Sequence, residues 1–359
     1  MKWWVCCFVL LSPGPVKAQT PAQVHGAEHI LSRLVERYGV SGMEGPVRET
    51  VQRFLPAWAR AQTDTAGNLW LTVGQGQPTV VFVAHLDEIG FTVDSIRDDG
   101  LLEVTPAGGF FPWLWQGRPA LVHTDSTDIP GVFLPRDSSA SDSAHASRVL
   151  VDVGSSARDS TTALGIRPGH TVTNPKSYVR LAGTRATGRS FDDRVGSTAL
   201  LLAVRRLDPK RLRHTVVFIW SVREEIGLEG AEAAARALGL RSARVHAIDT
   251  FVSADAPLEN PRFALAPLGL GPVARALDNS AVTPPALLDS LLAVARSHQI
   301  PLQSGTTNGG NDGSAFAPYG VPDVAIGWPL RYSHSPAEVI DLRDLVNLGR
   351  LVTAIAQDW

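Results

Sequence analysis

A chain of 359 residues is long enough for two domains, or for one large domain carrying an insertion. Hydrophobic residues make up 44% and charged residues 19%, which excludes a disordered or fibrous chain and describes a globular one. The formal net charge of −2 leaves no electrostatic footprint for nucleic acid, so no nucleic-acid partner is expected.

Lys2 is followed by an apolar run at 3–11, a Ser-Pro-Gly-Pro break and Val16-Lys17-Ala18. A charged start, a short apolar core and a small-residue exit form the pattern of a secretory signal peptide. This predicts cleavage after Ala18 and a secreted or periplasmic mature protein. The apolar run is about half the roughly 20 residues a membrane-spanning helix needs, so no stable membrane association is expected after cleavage. An uncleaved N-terminal anchor is the blander alternative. Cys6 and Cys7 both lie in this segment. The mature chain would then have neither a disulfide framework nor a cysteine metal site, and any metal must be held by His, Asp and Glu.

From 21 to 60 the apolar residues recur three and four apart, in two helical stretches separated by glycine breaks. Two strands follow, at 69–73 and 79–84, and the second ends in His85-Leu86-Asp87-Glu88. In extended chain His85 and Asp87 share a face. Asp87 is therefore a candidate to orient the ring of a metal-binding His85. Taken alone, a histidine at a strand end is more often structural.

Between 94 and 183 the pattern changes to short alternating segments (GFTVDSI, LLEVTP, ALVHT, RVLVDVG) separated by Gly, Pro and Ser clusters, the first beginning a few residues earlier. This predicts a small β-rich domain inserted into an α/β one, with one short helical turn at 159–165. Residues 137–147 read as a mobile loop. His123, His145 and His170 are read as surface or structural residues.

The α/β pattern resumes at Ser190-Phe191-Asp192-Asp193, which opens a helix. Aspartate there has a bland role, capping free N–H groups at the positive end of the helix dipole. Alternatively, one of the pair bridges two metal ions. A buried strand is expected at 215–222, rich in β-branched and aromatic residues. It ends in Glu224 and Glu225, and Gly227 and Gly230 then punctuate the approach to a helix at 231–238. Successive side chains in extended chain point to opposite sides, so the two glutamates would do different jobs. A further strand carries Asp249 towards its end, with Asp255 in the following turn. A helix at 285–298 precedes Gly309-Gly310-Asn311-Asp312-Gly313. The last strand, 323–328, leads to His334, and a helix at 341–357 closes the pattern.

Open α/β sheets place ligands at the carboxyl ends of their strands. His85, Asp192, Glu225, Asp249 and His334 each fall at or just past such an end, or where a helix begins beside one. Two histidines and three carboxylates suit a pair of divalent ions if one carboxylate is shared. Imidazole with carboxylate favours Zn²⁺, with Co²⁺ or Mn²⁺ as alternatives, over Ca²⁺ or Mg²⁺. Such a pair polarises a carbonyl and acidifies a bridging water. Glu224, free of the metals, would take that water's proton and return it to the leaving amine.

The segments HLDEIGF, SFDDRVG, EEIGLEGA, AIDT with ADAP, GGNDGSAF and HSPAEVIDL resemble, in order and spacing, the motifs of the glutamyl and deblocking aminopeptidases. These are co-catalytic di-metal peptidases that include the self-compartmentalising tetrahedral aminopeptidases. Each motif is weak alone; six in one order are specific, and the resemblance covers 25–355. It implies a three-layer α/β/α exopeptidase catalytic domain at 19–93 and 184–359, with a small β-barrel-like dimerisation domain inserted at 94–183. It also implies metal ligation by His85, Asp192, Glu225, Asp249 and His334, with Asp192 bridging. Glu224 would be the general base and Asp87 would orient His85; Asp193 is not carried over as a ligand. Peptides would be the substrates, and a homo-oligomer between dimer and dodecamer is expected. Two departures stand out: relatives are mostly intracellular, and Asn311 stands where many have Thr.

Other classes fit less well. No G-x-S-x-G elbow occurs for a serine hydrolase. Gly269-Leu270-Gly271-Pro272-Val273-Ala274 fits a dinucleotide fingerprint only formally, with a proline inside it and no βα context. Glycoside hydrolysis normally uses two metal-free carboxylates. A silent metal-stabilised binding protein would be expected to lack Glu224. A related di-metal hydrolase acting on another amide or acyl bond, such as a deacylase or carboxypeptidase, shares the fold and stays open.

Overall fold

The apolar runs around 79–84 and 215–222 lie side by side as parallel strands, Thr79–His85 and Thr215–Ser221, paired in register so that His85 and Ser221 end level. The computed structural model describes residues 19–136, 149–257, 259–260 and 262–359. The expected signal segment 1–18, with Cys6 and Cys7, and the expected loop 137–147, with His145, lie outside these residues.

Thr79–His85 is buried along its whole length, as a central parallel strand covered on both faces must be. Its side chains alternate between two layers. Val80, Phe82 and Ala84, with Val216, Phe218 and Trp220 of the neighbouring strand, face the helices Pro21–Val35, Phe191–Arg206 and Leu342–Asp358. Val81, Val83, Val217 and Ile219 face the opposite layer, formed by helix Glu229–Leu238 and the 3-10 turn Asp312–Tyr319. Each such buried side chain contributes about 1.5–3 kcal/mol, so the three-layer sandwich follows from the alternation.

The full sheet has eight strands, in the order Gln62–Thr63, Leu69–Val73, Thr215–Ser221, Thr79–His85, Ser242–Val252, Ile326–Leu330, Val273–Leu277 and Gln303–Thr306. The four strands from Thr215–Ser221 to Ile326–Leu330 are mutually parallel. His85, Glu224, Glu225, Asp249 and His334 therefore approach one edge of the sheet from strands that point the same way.

A second body grows from the end of Thr79–His85. Gly90–Ile96, Leu102–Ala107, Val149–Asp152, Asp128–Phe133, Pro119–His123 and Thr171–Thr173 close into a six-stranded barrel. Phe91, Val104, Trp115, Val122, Phe133 and Val151 belong to its separate core. The barrel strands occupy 90–173, against the expected insert at 94–183. Past 173 the chain has left the barrel: Val179–Arg180 pairs with Arg185–Gly188, which pairs with Glu338–Asp341. The short helix in the insert is Arg158–Ala163. His123 bonds Asp128 and Thr173 and packs at a tilt against Tyr38, and His170 is buried beside Arg167. No helix among the described residues is long and apolar enough to cross a membrane.

Gly230, where helix Glu229–Leu238 begins, approaches the end of strand Thr215–Ser221 so closely that a Cβ would lie 2.3 Å from Asn68 Oδ1 and 2.5 Å from the Val222 carbonyl. Asn68 is wholly buried and ties this corner together. It accepts from Val222 N at 3.1 Å and donates to Gly230 O at 2.9 Å and Asp64 Oδ2 at 2.8 Å. Asn68→Ala would leave the buried Val222 N–H unpaired, costing about 1–3 kcal/mol, and would remove the ties to Gly230 O and Asp64 Oδ2. Denaturant unfolding should report a loss of about 3 kcal/mol; a loss below about 1 kcal/mol would mean that solvent reaches this corner.

Candidate active site

Asp192 is the point on which the site converges. Its Oδ1 lies 3.1 Å from His85 Nε2, and its Oδ2 lies 3.2 Å from His334 Nε2. Glu225 Oε2 is 3.5 Å from the same His334 nitrogen. Two groups result, His85–Asp192–Asp249 and Asp192–Glu225–His334, and in each the ligand atoms lie within 4.8 Å of one another. Asp192 belongs to both and Glu224 to neither. All five residues named from the sequence as candidate metal ligands thus meet at one place.

The second acid of the pair has a different neighbourhood. Asp193 accepts from the backbone N–H of His85 at 3.2 Å, from Gly196 N at 2.9 Å and from Trp328 Nε1 at 3.3 Å. It clamps the start of helix Phe191–Arg206 to the end of strand Thr79–His85, the capping role open to an aspartate there.

Asp87 is wholly buried, and its Oδ1 lies 3.4 Å from His85 Nδ1. It also accepts from Glu224 N at 3.0 Å, Glu225 N at 3.1 Å and Ser41 Oγ at 2.6 Å. One carboxylate therefore lies against the histidine ring and fixes the backbone of both glutamates. The glutamates are divided by a turn rather than by the extended chain expected from the sequence. Arg223 has φ +54°, and Gly227 N and Leu228 N both donate to Glu224 O at 3.1 Å.

Three groups at the site escaped the sequence reading. Glu338 is buried and accepts from Phe191 N at 2.7 Å, Asp192 N at 3.3 Å and His334 N at 3.1 Å, so it holds the backbones of Asp192 and His334 together. The one signal for it was its place in HSPAEV, four residues past His334. The carbonyl of Gly109 accepts from His334 Nδ1 at 2.6 Å, which leaves Nε2 facing the carboxylates. Glu88, also wholly buried, meets Lys176 Nζ at 2.7 Å, Arg189 Nη2 at 3.1 Å and Gly39 N at 2.7 Å, and accepts from Ser190 Oγ, where the helix bearing Asp192 begins.

The electrostatics follow from burial among like charges. Burial pushes the Glu225 carboxyl up to about 7; Asp192 and Asp87 act in the same direction, against His334 and His85. Burial also holds Glu224 well above its usual range, with Asp249, Glu225 and Asp312 reinforcing it and His85 opposing. For the histidines burial acts downward and is overcome. Hydrogen bonds to Asp192 and Asp87 raise His85 well above its ordinary value, and the charges of Glu225 and Asp192 do the same for His334. The cluster therefore draws positive charge to the ring nitrogens that face Asp192. Glu225 Oε1, buried, has no hydrogen-bond partner. Imidazole and carboxylate donors, an unused buried oxygen and an excess of negative charge together fit divalent ions of the zinc type.

Residues 67–351 match the family model described as M42 glutamyl aminopeptidase. The chain belongs to that family. It is 29% identical over 343 residues to the lysyl aminopeptidase of Pyrococcus furiosus, covering 92% of this chain and 96% of that one. Among solved structures it resembles aminopeptidase APDkam598 from Desulfurococcus kamchatkensis, with a TM-score of 0.87, 28% identity, and coverage of 94% of this chain and 96% of that one. It also resembles the TET1 peptidase of Pyrococcus horikoshii, described as able to assemble into a tetrahedron or a large octahedral shell. That match has a TM-score of 0.85, 31% identity, and coverage of 93% and 100%. The protein is an aminopeptidase with the three-layer fold and barrel of these enzymes.

One expectation fails against these relatives. The amino-terminal pattern suggested a signal peptide and a secreted or periplasmic enzyme, and the likeness to the tetrahedral peptidases conflicts with that expectation. The physical reason is that a lysine followed by a short apolar run records local hydrophobicity and not a destination.

The position of Glu338 can be tested in this aminopeptidase. Glu338→Ala should weaken divalent-ion binding by about 10–100-fold, the usual effect of removing a group that orients ligands. Competition with a chromophoric chelator measures it, and wild-type affinity would show that Asp192 and His334 are held in place without Glu338.

Proposed function

We propose that this aminopeptidase removes N-terminal residues from peptides with the help of two divalent ions, held by His85, Asp192, Glu225, Asp249 and His334. The observation that carries this reading is the division of Asp192 between two histidines, one oxygen to each. Zn²⁺ is the favoured metal, with Co²⁺ or Mn²⁺ as alternatives. When bound, the ions supply Lewis acidity, polarising the scissile carbonyl and making water acidic enough to attack near neutral pH.

The chain's own groups do the rest. Glu224, outside both ligand groups and lifted by burial, takes the proton from the attacking water and returns it to the departing amine. Its backbone N–H bond to Asp87 fixes where that carboxylate starts, and the same Asp87 steadies His85. Glu338 keeps Asp192 and His334 at one spacing. The barrel reaches the site through Gly109, which orients His334. Assembly into a homo-oligomer, through a dimer built on the barrel, is part of the same proposal, supported by the shells described for the Pyrococcus horikoshii peptidase.

The decisive assay follows release from a panel of aminoacyl-anilides and short peptides, as purified, after chelation, and after return of Zn²⁺, Co²⁺ or Mn²⁺. Metal-restored release of N-terminal residues is expected; bound metal without release would point to another amide or acyl bond. Glu224→Gln should lower kcat by about 10²–10⁴-fold while metal content stays near wild type. His334→Ala should lose metal together with activity. Near-normal turnover in Glu224→Gln would remove Glu224 from the role of base. Light scattering tests the assembly, and a monomer would end that part of the proposal.

A further inference from the structure

Several large apolar side chains are left open to solvent beside the catalytic groups. Ile226, directly after Glu225, is 46% exposed, and Tyr332, two residues before His334, is 41% exposed. Phe111 and Trp113 are 60% and 49% exposed, on the loop whose Gly109 carbonyl bonds His334. Two residues of extended chain span about 7 Å, so Ile226, Tyr332 and Phe111 all start within about that distance of a site residue. Trp113 is brought in by stacking on Phe111, with ring centroids 4.5 Å apart and planes at 25°. Isolated apolar residues on a surface need no explanation, but four whose chain positions adjoin the catalytic groups call for a ligand.

The loop is fixed in place. Gly108, at φ +107°, sits where a Cβ would meet Ile89 at 2.6 Å and Glu225 Cβ at 3.6 Å. Phe110 turns inward and lies edge-on to Phe91 at 5.1 Å, anchored in the barrel core, while its neighbour Phe111 points away. Tyr332 and His334 both have left-handed backbones, φ +61° and +56°, in the turn between two strands. The nearby cations are engaged elsewhere. Arg331 pairs with Asp255 at 2.6 Å, and Arg223 pairs with Glu229 at 3.3 Å.

We propose that Ile226, Tyr332, Phe111 and Trp113 form an apolar collar at the mouth of the active site. The collar binds the first two side chains of the peptide and selects apolar or aromatic residues over charged ones. This rests on the aminopeptidase reading above and adds the substrate class to it. Peptide is the occupant rather than a second copy of the chain, because a subunit seated on these residues would cover the approach to Glu225 and His334. Rigid aromatic rings give large contact area for little lost side-chain freedom, and no charge in the collar repays the desolvation of an acidic or basic side chain.

Two measurements test it. The first is kcat/KM for peptides of one length whose first two residues are Leu, Phe, Ser, Asp or Lys. The second is calorimetric binding of the same peptides to metal-loaded Glu224→Gln protein, which reads the collar without turnover. Leucyl and phenylalanyl peptides are expected to exceed aspartyl and lysyl ones by about tenfold or more in both. In the Phe111→Ala/Trp113→Ala protein that preference should shrink to about twofold, chiefly through KM. A preference for charged residues, or one that the double substitution leaves intact, overturns the collar. Intact preference with a changed mass by light scattering assigns the aromatic pair to a subunit interface, which also overturns it. Absence of release from every peptide would sink the aminopeptidase mechanism instead, and calorimetry would still decide the collar.

Discussion

Surplus negative charge, buried at one edge of a parallel sheet, is the constraint on which this structure depends. Asp87, Asp192, Asp193, Asp249 and Asp312 are all buried close together, with the partly buried Glu224 and Glu225 among them. Removing carboxylates from water is costly unless each finds donors or opposite charge. The protein meets part of that cost with its backbone: Asp87 takes the N–H groups of both glutamates, and Asp193 takes those of His85 and Gly196. The remainder is carried by two histidines and by Arg275, 3.4 Å from Asp249. What these leave uncompensated is the electrostatic basis for holding cations there.

The tetrapeptide from His85 to Glu88 distributes this constraint through the fold. His85 faces Asp192, and Asp87 lies under the glutamate turn. Glu88 has the opposite environment, with Lys176, Arg189 and Arg194 around it. Burial alone would raise its pKa, but these three cations hold it far below the ordinary range. Lys176 comes just after the last barrel strand, whereas Arg189, Ser190 and Arg194 frame Asp192. A single buried glutamate therefore joins the barrel junction to the carboxylate at the centre of the site. Buried charge groups of this kind are weak evidence for stability, but losing one partner exposes the full desolvation cost of the others. Such a group sets geometry more than it adds free energy.

What could be read in advance depends on how local its cause is. The strands around 79–84 and 215–222 declare themselves through unbroken apolar runs, and the acids and histidines that follow them mark the strand ends at which such sheets bind ligands. The ligand candidates were legible for that reason, since each stands beside a hydrophobic segment with an unambiguous direction. Glu338 and Gly109 were not legible as parts of the site. They act largely through backbone atoms of residues distant in sequence, and apart from the place of Glu338 four residues past His334 nothing in their own neighbourhoods encodes that. The barrel was expected from the family resemblance and not from the chain's own pattern, because pairing Phe91 with Val172 and Glu103 with Leu150 requires contacts across dozens of residues. The division of labour between Glu224 and Glu225 was expected for the wrong local reason, since a left-handed Arg223 and a tight turn separate them where alternation was assumed.

The barrel is therefore more than an appendage to the catalytic sandwich. Its strand Gly90–Ile96 starts two residues after Glu88, and its loop returns to touch the site again at Gly108 and Gly109. Two attachments, one ionic and one through backbone, fix the barrel's orientation against His334 and Glu225. Residues between them can then vary without disturbing the candidate ligand groups, because Phe110 and Trp115 anchor the loop in a core of its own. Chemistry on the rigid strand ends and side-chain selection on an anchored loop are separable for that physical reason. A change in which peptides are accepted needs new side chains only at exposed positions such as Phe111 and Trp113 on that loop, with Ile226 and Tyr332 beside the site, and leaves the buried charge balance untouched.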